Sequence, residues 1–276
     1  MTSSPAGSSP VNPAGAPGRQ ALACPVFVVN MERDTARRQH MVDALGRIGM
    51  SAEFVTAVDG RAMTESDRAA YDRTRALRIY GVEMKDSEIG CFLSHYRIYE
   101  RMVREDVETA LVLEDDVSIE PNLPMVVADL LACPFREWLV VRLDTKLGRV
   151  AKPASPRFLG TRVAELSDGA VLYRLRSQVL GVGAYLIRRE GAARMLEYGK
   201  RIFMPIDQTM DRYWENGILP YVVRPFPVDQ GDDFGSHSGD RSNARRNAQP
   251  FRVRLRRRLQ RIEDAVRKRV FNLVHQ

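Results

Sequence analysis

The stretch Thr109-Ala-Leu-Val-Leu-Glu-Asp-Asp-Val117 constrains this chain more than any other. Ala110 to Leu113 form a continuous apolar run, the pattern of a short strand buried on both faces, which implies a largely parallel sheet covered by helices. The run ends on Glu114, Asp115 and Asp116. Adjacent carboxylates repel one another unless something cationic sits among them. Open α/β sheets bind ligands at the carboxyl ends of their strands, and Mg²⁺ and Mn²⁺ take oxygen ligands that they share with substrate phosphates. Two readings stand at this point: a cation and phosphate site, or a solvated acidic turn that caps a following helix.

The flanking sequence fits a sheet of this type. Val26-Phe-Val-Val29 is a β-branched and aromatic run that predicts a first buried strand closed by Asn30. A helix starting near Asp34 follows, with Met41, Leu45 and Ile48 at helical spacing and Gly49 as its stop. Glu53 to Val58 reads as a second strand, so residues 26–58 form a βαβ unit and imply a right-handed parallel crossover. No glycine-rich phosphate loop follows the first strand, which excludes a dinucleotide fingerprint and a Walker loop. Met63 to Lys85 is charged and mixed, read as a short helix and a loop. Ser87 is the expected N-cap of a helix over Glu88–Arg104, whose apolar face carries Ile89, Phe92, Leu93, Tyr96, Tyr99 and Val103.

Further candidates follow downstream. Ser94-His95 lies within that helix, where a histidine is either a satisfied core residue or a ligand. Pro121–Cys133 predicts a helix and Trp138–Val141 a strand, ended by Arg142 and Asp144; the bland account of that pair is a local ion pair. Pro153–Asp168 reads as loop, Val171–Leu175 and Gly183–Ile187 as strands, and Glu190–Tyr198 as a helix. Pro205-Ile-Asp-Gln208 opens another helix, placing Asp207 and Asp211 on one face, although acids in a first helical turn also simply complement the dipole. Pro220–Pro227 predicts a last strand, before a Gly-, Asp- and Ser-rich stretch that runs to about Pro250.

The chain has 276 residues, 44% apolar and 28% charged, room for one large or two small globular domains. Its net charge of +7 is entirely local: residues 251–276 hold nine Arg and Lys against two acids. The organisation expected is a disordered, Ser/Pro/Ala/Gly-rich tail over 1–22, a domain over 23–250 and a basic amphipathic helix over 251–276. In that helix Phe251, Leu255, Leu259, Ile262, Val266, Val270 and Leu273 form one stripe. A membrane interface, packing on the domain and nucleic acid are all open to it, the last disfavoured because no aromatics interleave the basic run. Three widely spaced cysteines, Cys24, Cys91 and Cys133, argue against a disulfide framework or a zinc site. With no apolar run of membrane-spanning length and no signal-peptide pattern, the expected location is the cytoplasm, peripheral on the inner face of its membrane if the basic helix binds there.

Taken together, several segments resemble glycosyltransferase family 25, the bacterial lipooligosaccharide galactosyltransferases and their collagen-modifying relatives. They are Val26-Phe-Val-Val-Asn-Met-Glu-Arg33 with Arg37-Arg38, Ala57-Val-Asp-Gly60, Glu88 to His95, Ala110 to Val117, Gly183 to Ile187 with Gly191-Ala192, and Pro205-Ile-Asp207. They run in the family's order from about residue 25 to 230. The resemblance implies a GT-A-like, Rossmann-type α/β fold with a mostly parallel central sheet flanked by helices. It also implies an inverting sugar transfer from a UDP-sugar, most often UDP-galactose, to a lipooligosaccharide or other glycan, with Mn²⁺ or Mg²⁺. Asp115 and Asp116 would hold the metal and Glu114 the donor's side of the site, with Asn30, Arg37, Ser94 and His95 near the nucleotide. An inverting transfer needs a carboxylate base; Asp207 matches the family's Pro-Ile-Asp, with Asp144 and Asp211 as further candidates. Met31 and Gln208 depart from the family's usual Leu and aromatic, and the second change bears on the acceptor. Two alternatives keep the same acids: a non-catalytic nucleotide-sugar or membrane-binding scaffold, and a metal-dependent phosphohydrolase. No nucleic acid partner is expected.

Overall fold

The structure is a computed structural model that describes residues 23–145, 160–230 and 249–274. The tail 1–22, the first part of the expected 153–168 loop and most of the Gly-, Asp- and Ser-rich stretch lie outside the described residues. The elements begin with β1 (Val26–Asn30), α1 (Thr35–Arg47) and β2 (Glu53–Thr56), then α2 (Glu65–Ala69), α3 (Arg73–Ile79) and α4 (Asp86–Arg104). β3 (Thr109–Glu114), β4 (Val117–Ile119), α5 (Leu123–Ala132), β5 (Val140–Arg142), β6 (Gly160–Glu165), β7 (Val171–Leu175) and β8 (Ala184–Arg188) follow. The chain continues through α6 (Arg189–Gly199), α7 (Ile206–Met210), α8 (Tyr213–Asn216), β9 (Tyr221–Arg224) and β10 (Val228–Gln230) to α9 (Phe251–Val274).

An eight-stranded sheet in the order β2-β1-β3-β8-β5-β9-β7-β6 forms the middle layer, and β10 pairs with β4 in a small separate ribbon. β2, β1, β3, β5, β9 and β6 point one way, while β8 and β7 run against them. The architecture is therefore the expected α/β fold with a mostly parallel sheet. Asn30, Glu114 and Arg142 consequently end strands at one edge of the sheet, and β8 starts at that edge.

Alternation along the strands sends side chains to two cores. Phe27, Ala110, Val112, Tyr185 and Ile187 pack under α3, α4, α6 and α7. Val26, Val28, Leu111, Leu113 and Leu186 pack under α1 and α5. Both cores are closed by fully buried large side chains, Tyr99 and Phe92 on one face and Trp138 and Met41 on the other.

Several expectations are revised. α4 begins at Asp86 rather than after Ser87, because the Glu88 carboxylate accepts from the Lys85 backbone N–H at 2.7 Å and caps the helix two residues earlier. Met63–Lys85 holds two short helices, not one, the first opened by a Thr64–Asp67 capping box. Gly160–Glu165, read as loop, is the edge strand β6; it lies largely exposed, so no apolar alternation marks it. Cys24, Cys91 and Cys133 are free thiols. No helix among the described residues is long and apolar enough to cross a membrane.

The approach of α4 to the end of β2 depends on two glycines. A Cβ on Gly60 would lie 2.2 Å from the Asp86 carbonyl oxygen, and one on Gly90 would lie 2.5 Å from that of Val58. Both obstacles are backbone, so neither can swing aside. Replacing Gly60 by Ala is expected to cost about 1–3 kcal/mol, the range for overpacking a tight contact, read as a lower urea midpoint at unchanged m-value.

Candidate active site

The three acids do not act as one uniform cluster, and the period of the strand explains why. Glu114 continues the 110, 112 series and turns toward α4, whereas Asp115 continues 111, 113 and turns toward α1. Asp115 is buried and its oxygens are held from two elements: Asn30 at the end of β1 donates Nδ2–H at 2.7 Å, and Arg37 in α1 donates at 3.0 Å. Arg37 lies also 3.8 Å from Asp116. One guanidinium shared by two carboxylates leaves that pair net negative. Asp116 Oδ1 is buried without a hydrogen-bond partner among the described residues. Burial, then the neighbouring Glu114 charge, push the Asp116 carboxyl up to about 6. An uncompensated carboxylate oxygen at a strand end is what a divalent cation would complete, so this donor set fits Mg²⁺ or Mn²⁺.

On the α4 side, Glu114 lies 3.6 Å from His95 Nε2 and 3.7 Å from the Cys91 sulfur. His95 is wholly buried, and its Nδ1 shares a 2.7 Å hydrogen bond with the Tyr185 hydroxyl, which meets that of Tyr99 at 2.9 Å. His95 thus backs Glu114 from within the core. Ser94 serves the backbone instead. Its hydroxyl accepts from the Val58 N–H at 2.8 Å and donates to the Gly90 carbonyl at 2.7 Å, clipping α4 to the chain after β2.

The remaining acids meet on a stretch of which sequence reasoning singled out only the last residue, Leu180-Gly-Val-Gly183. The Asp211 carboxylate accepts from the N–H groups of Val179 and Leu180 at 3.0 and 2.8 Å and pairs with Arg142 at 3.4 Å. Asp207 accepts from Gly181 N–H at 3.3 Å. Asp144 accepts from Gly183 and Ala184 N–H, both at 3.1 Å, and the Glu114 N–H donates to the Gly183 carbonyl at 2.8 Å. Leu180 and Gly181 both have positive φ, 57° and 86°, which turns successive N–H groups toward the acids. A Cβ on Gly183 would sit 2.8 Å from Asp144 Oδ2. The two closely spaced glycines are the visible signal, but their acidic partners lie 26 residues downstream and 39 upstream.

Burial pushes Asp144 up to about 7 and Asp211 up to about 6. Folding therefore raises these pKa values above the unfolded value near 4. The native state keeps a proton that the unfolded chain releases, so this stability is full below about pH 4 and is lost as pH rises through 7. Each unit of upward shift removes about 1.4 kcal/mol. Urea midpoints measured from pH 4.5 to 7.5 are expected to fall less steeply for Asp144→Asn than for the parent chain.

A family profile described as Glycosyltransferase family 25 (LPS biosynthesis protein) matches residues 23–210. A Glycosyltransferase 25 family member of Aedes aegypti is 39% identical over 179 residues, 62% of this chain and 28% of that protein. Procollagen galactosyltransferase 1 of Danio rerio is 25% identical over 237 residues, 83% of this chain and 35% of that protein. Inactive glycosyltransferase 25 family member 3 of Homo sapiens is 28% identical over 225 residues, 72% of this chain and 35% of that protein. The chain spans about a third or less of the length of these curated relatives. With a profile match that takes in the strand-end acids and continues through Asp207, the chain belongs to glycosyltransferase family 25.

Proposed function

We propose that this protein is a metal-dependent, inverting glycosyltransferase that moves a sugar, galactose first among the candidates, from a UDP-sugar to a lipooligosaccharide or other glycan. The observation that carries the reading is the unpartnered, buried Asp116 Oδ1 beside an Asp115 that two other elements hold in place. Asp116, with Asp115 and Glu114 beside it, would hold Mn²⁺ or Mg²⁺. When bound, the ion neutralises charge developing on the leaving diphosphate.

The chain's own residues supply the rest. Asn30 and Arg37 orient Asp115, and His95, fixed by Tyr185, stands 3.6 Å behind Glu114. Asp207 is the proposed base that accepts the proton of the acceptor hydroxyl. Asp144 is fully buried with both oxygens on backbone N–H groups, and Asp211 is tied to two N–H groups and Arg142. Asp207 also has both oxygens on backbone N–H groups, Oδ1 on Gln208 at 2.8 Å and Oδ2 on Gly181 at 3.3 Å, but it is the most exposed of the three and so the best placed to meet an acceptor hydroxyl.

A relative named as inactive favours a second reading, a donor-binding fold without turnover. A screen of UDP-sugars with purified protein, read by UDP release, separates the two. Release that requires Mn²⁺ or Mg²⁺ and stops with chelator is the expected result. Calorimetric binding of UDP without release from any donor across a panel of acceptors would instead establish the scaffold, and phosphate release from substrates lacking a sugar would establish a phosphohydrolase.

A further inference from the structure

The basic helix α9 docks on the body with the face that its hydropathy would assign to solvent. Val253, Arg257, Gln260, Asp264, Lys268 and Phe271, with Asn272 beside the last, are the half-covered positions, and the first six recur every three or four residues. Asp264 accepts two hydrogen bonds from Arg212, at 2.8 and 2.7 Å, and Arg212 is itself buried. Phe271 packs edge-on against Tyr213 at 5.5 Å, and the Lys268 ammonium lies 5.5 Å over the same ring. Asn272 donates to the Tyr213 hydroxyl at 3.1 Å. The packing alternative for the apolar stripe is therefore corrected: a polar and charged face makes the contacts.

The stripe points outward instead. At 100° per residue, Leu255, Leu259, Ile262, Val266, Val270 and Leu273 lie about 200° around the helix from the docked face. They are 44 to 65% exposed, whereas among the described residues before α9 only Val42, Val103 and Met125 are exposed large apolar side chains. Arg258, Arg261 and Arg269 line the same shallow groove as Ile262 and Val266, so cations border the middle of the stripe. A row of six exposed apolar side chains in a single helix face is far more than scattered surface residues would give, and such a patch marks an interaction surface.

We propose that α9 seats the protein on an anionic lipid bilayer, its apolar stripe entering the headgroup boundary and its arginines meeting lipid phosphates. The helix is 24 residues long, about 36 Å, so it lies along the surface and its footprint is extended. Charge selects this occupant over the others. A second copy meeting the stripe through a two-fold contact would bring the same arginine border against itself. Single-stranded nucleic acid needs a series of aromatic platforms, and of the two aromatics of α9 Phe271 is turned inward onto Tyr213, leaving Phe251 alone exposed at the helix start. Because Asp264 and Phe271 hold the helix to α8 and its flank, the protein would meet the membrane in one orientation, not on a loose tether.

The test is co-sedimentation of the full chain with phosphatidylcholine vesicles, with and without phosphatidylglycerol. Binding only to the anionic vesicles, weakened by salt and reduced at least about tenfold in the double variant L259S/I262S, is the expected result. Both positions are exposed and outside the docked face, so circular dichroism of the variant should match the parent. Equal vesicle binding by the variant overturns the proposal. So does a parent dimer that the same changes dissociate, or salt-sensitive binding of single-stranded RNA with none to vesicles. The readout requires no turnover, so a failed donor screen and a failed membrane test are distinguishable.

Discussion

Asp116→Ala should lower sugar transfer by at least about two decades, or roughly 2.7 kcal/mol of transition-state stabilisation at 1.36 kcal/mol per decade. The reason lies in where the three acids point. Asp115 is already committed to Asn30 and Arg37, and Glu114 faces His95 and Cys91, whereas Asp116 has one buried oxygen without a partner among the described residues. The same position also tests an opposite effect on stability. Folding raises the Asp116 pKa to about 6, so above that pH the native state holds a charge that burial and Glu114 disfavour. The isosteric Asp116→Asn change removes that charge, and its melting temperature at pH 7.5 should equal or exceed that of the parent while transfer falls. Transfer within tenfold of the parent in both variants would remove Asp116 from the metal role.

Arg212→Ala is expected to be the most destabilising single change, about 3 kcal/mol or more, because it breaks a buried charge network from one side. The Arg212 side chain is buried and fans out to four oxygens of two acids: Glu215 at 2.9 and 2.6 Å, and Asp264 at 2.8 and 2.7 Å. It also donates to the Tyr198 hydroxyl at 3.1 Å. Removing the guanidinium leaves two carboxylates facing each other in a partly buried site, the costly half of breaking such a pair. Lysine cannot replace a planar fork that serves both acids at once, so Arg212→Lys should recover only part of the loss. Hydrogen exchange would locate the effect: amides of α9 lose protection first, because Asp264 is that helix's strongest attachment, while β1 and β3 change little.

Much of the framework was legible because it is locally encoded. The apolar runs of β1 and β3, the face of α4 and the stripe of α9 each announce themselves within a dozen or so residues, and the structure has strands and helices at those places. The split of Glu114 from Asp115 was also available from a period of two. What escaped depends on distant partners. β6 shows no pattern because it is an exposed strand that ends the sheet beside β7. Ser94 gives no hint that its hydroxyl serves Val58, 36 residues earlier. The docked face of α9 consists of residues that look solvated until Arg212 and Tyr213 are brought to them, some 50 positions back in the chain.

The Leu180–Gly183 run carries a consequence for how the site responds to change. Asp211, Asp207 and Asp144 grip neighbouring amides of one short segment, and Glu114 grips its carbonyl. Releasing any one of them loosens the strip on which the others depend, so their losses overlap. A double-mutant cycle between Asp144 and Asp211 should accordingly show strong coupling, carried through the backbone that both acids hold, with the pair of changes costing less than the two costs added. The strip turns residues from three elements into a single thermodynamic unit. Evolution or engineering can retune such a unit only by moving its members together.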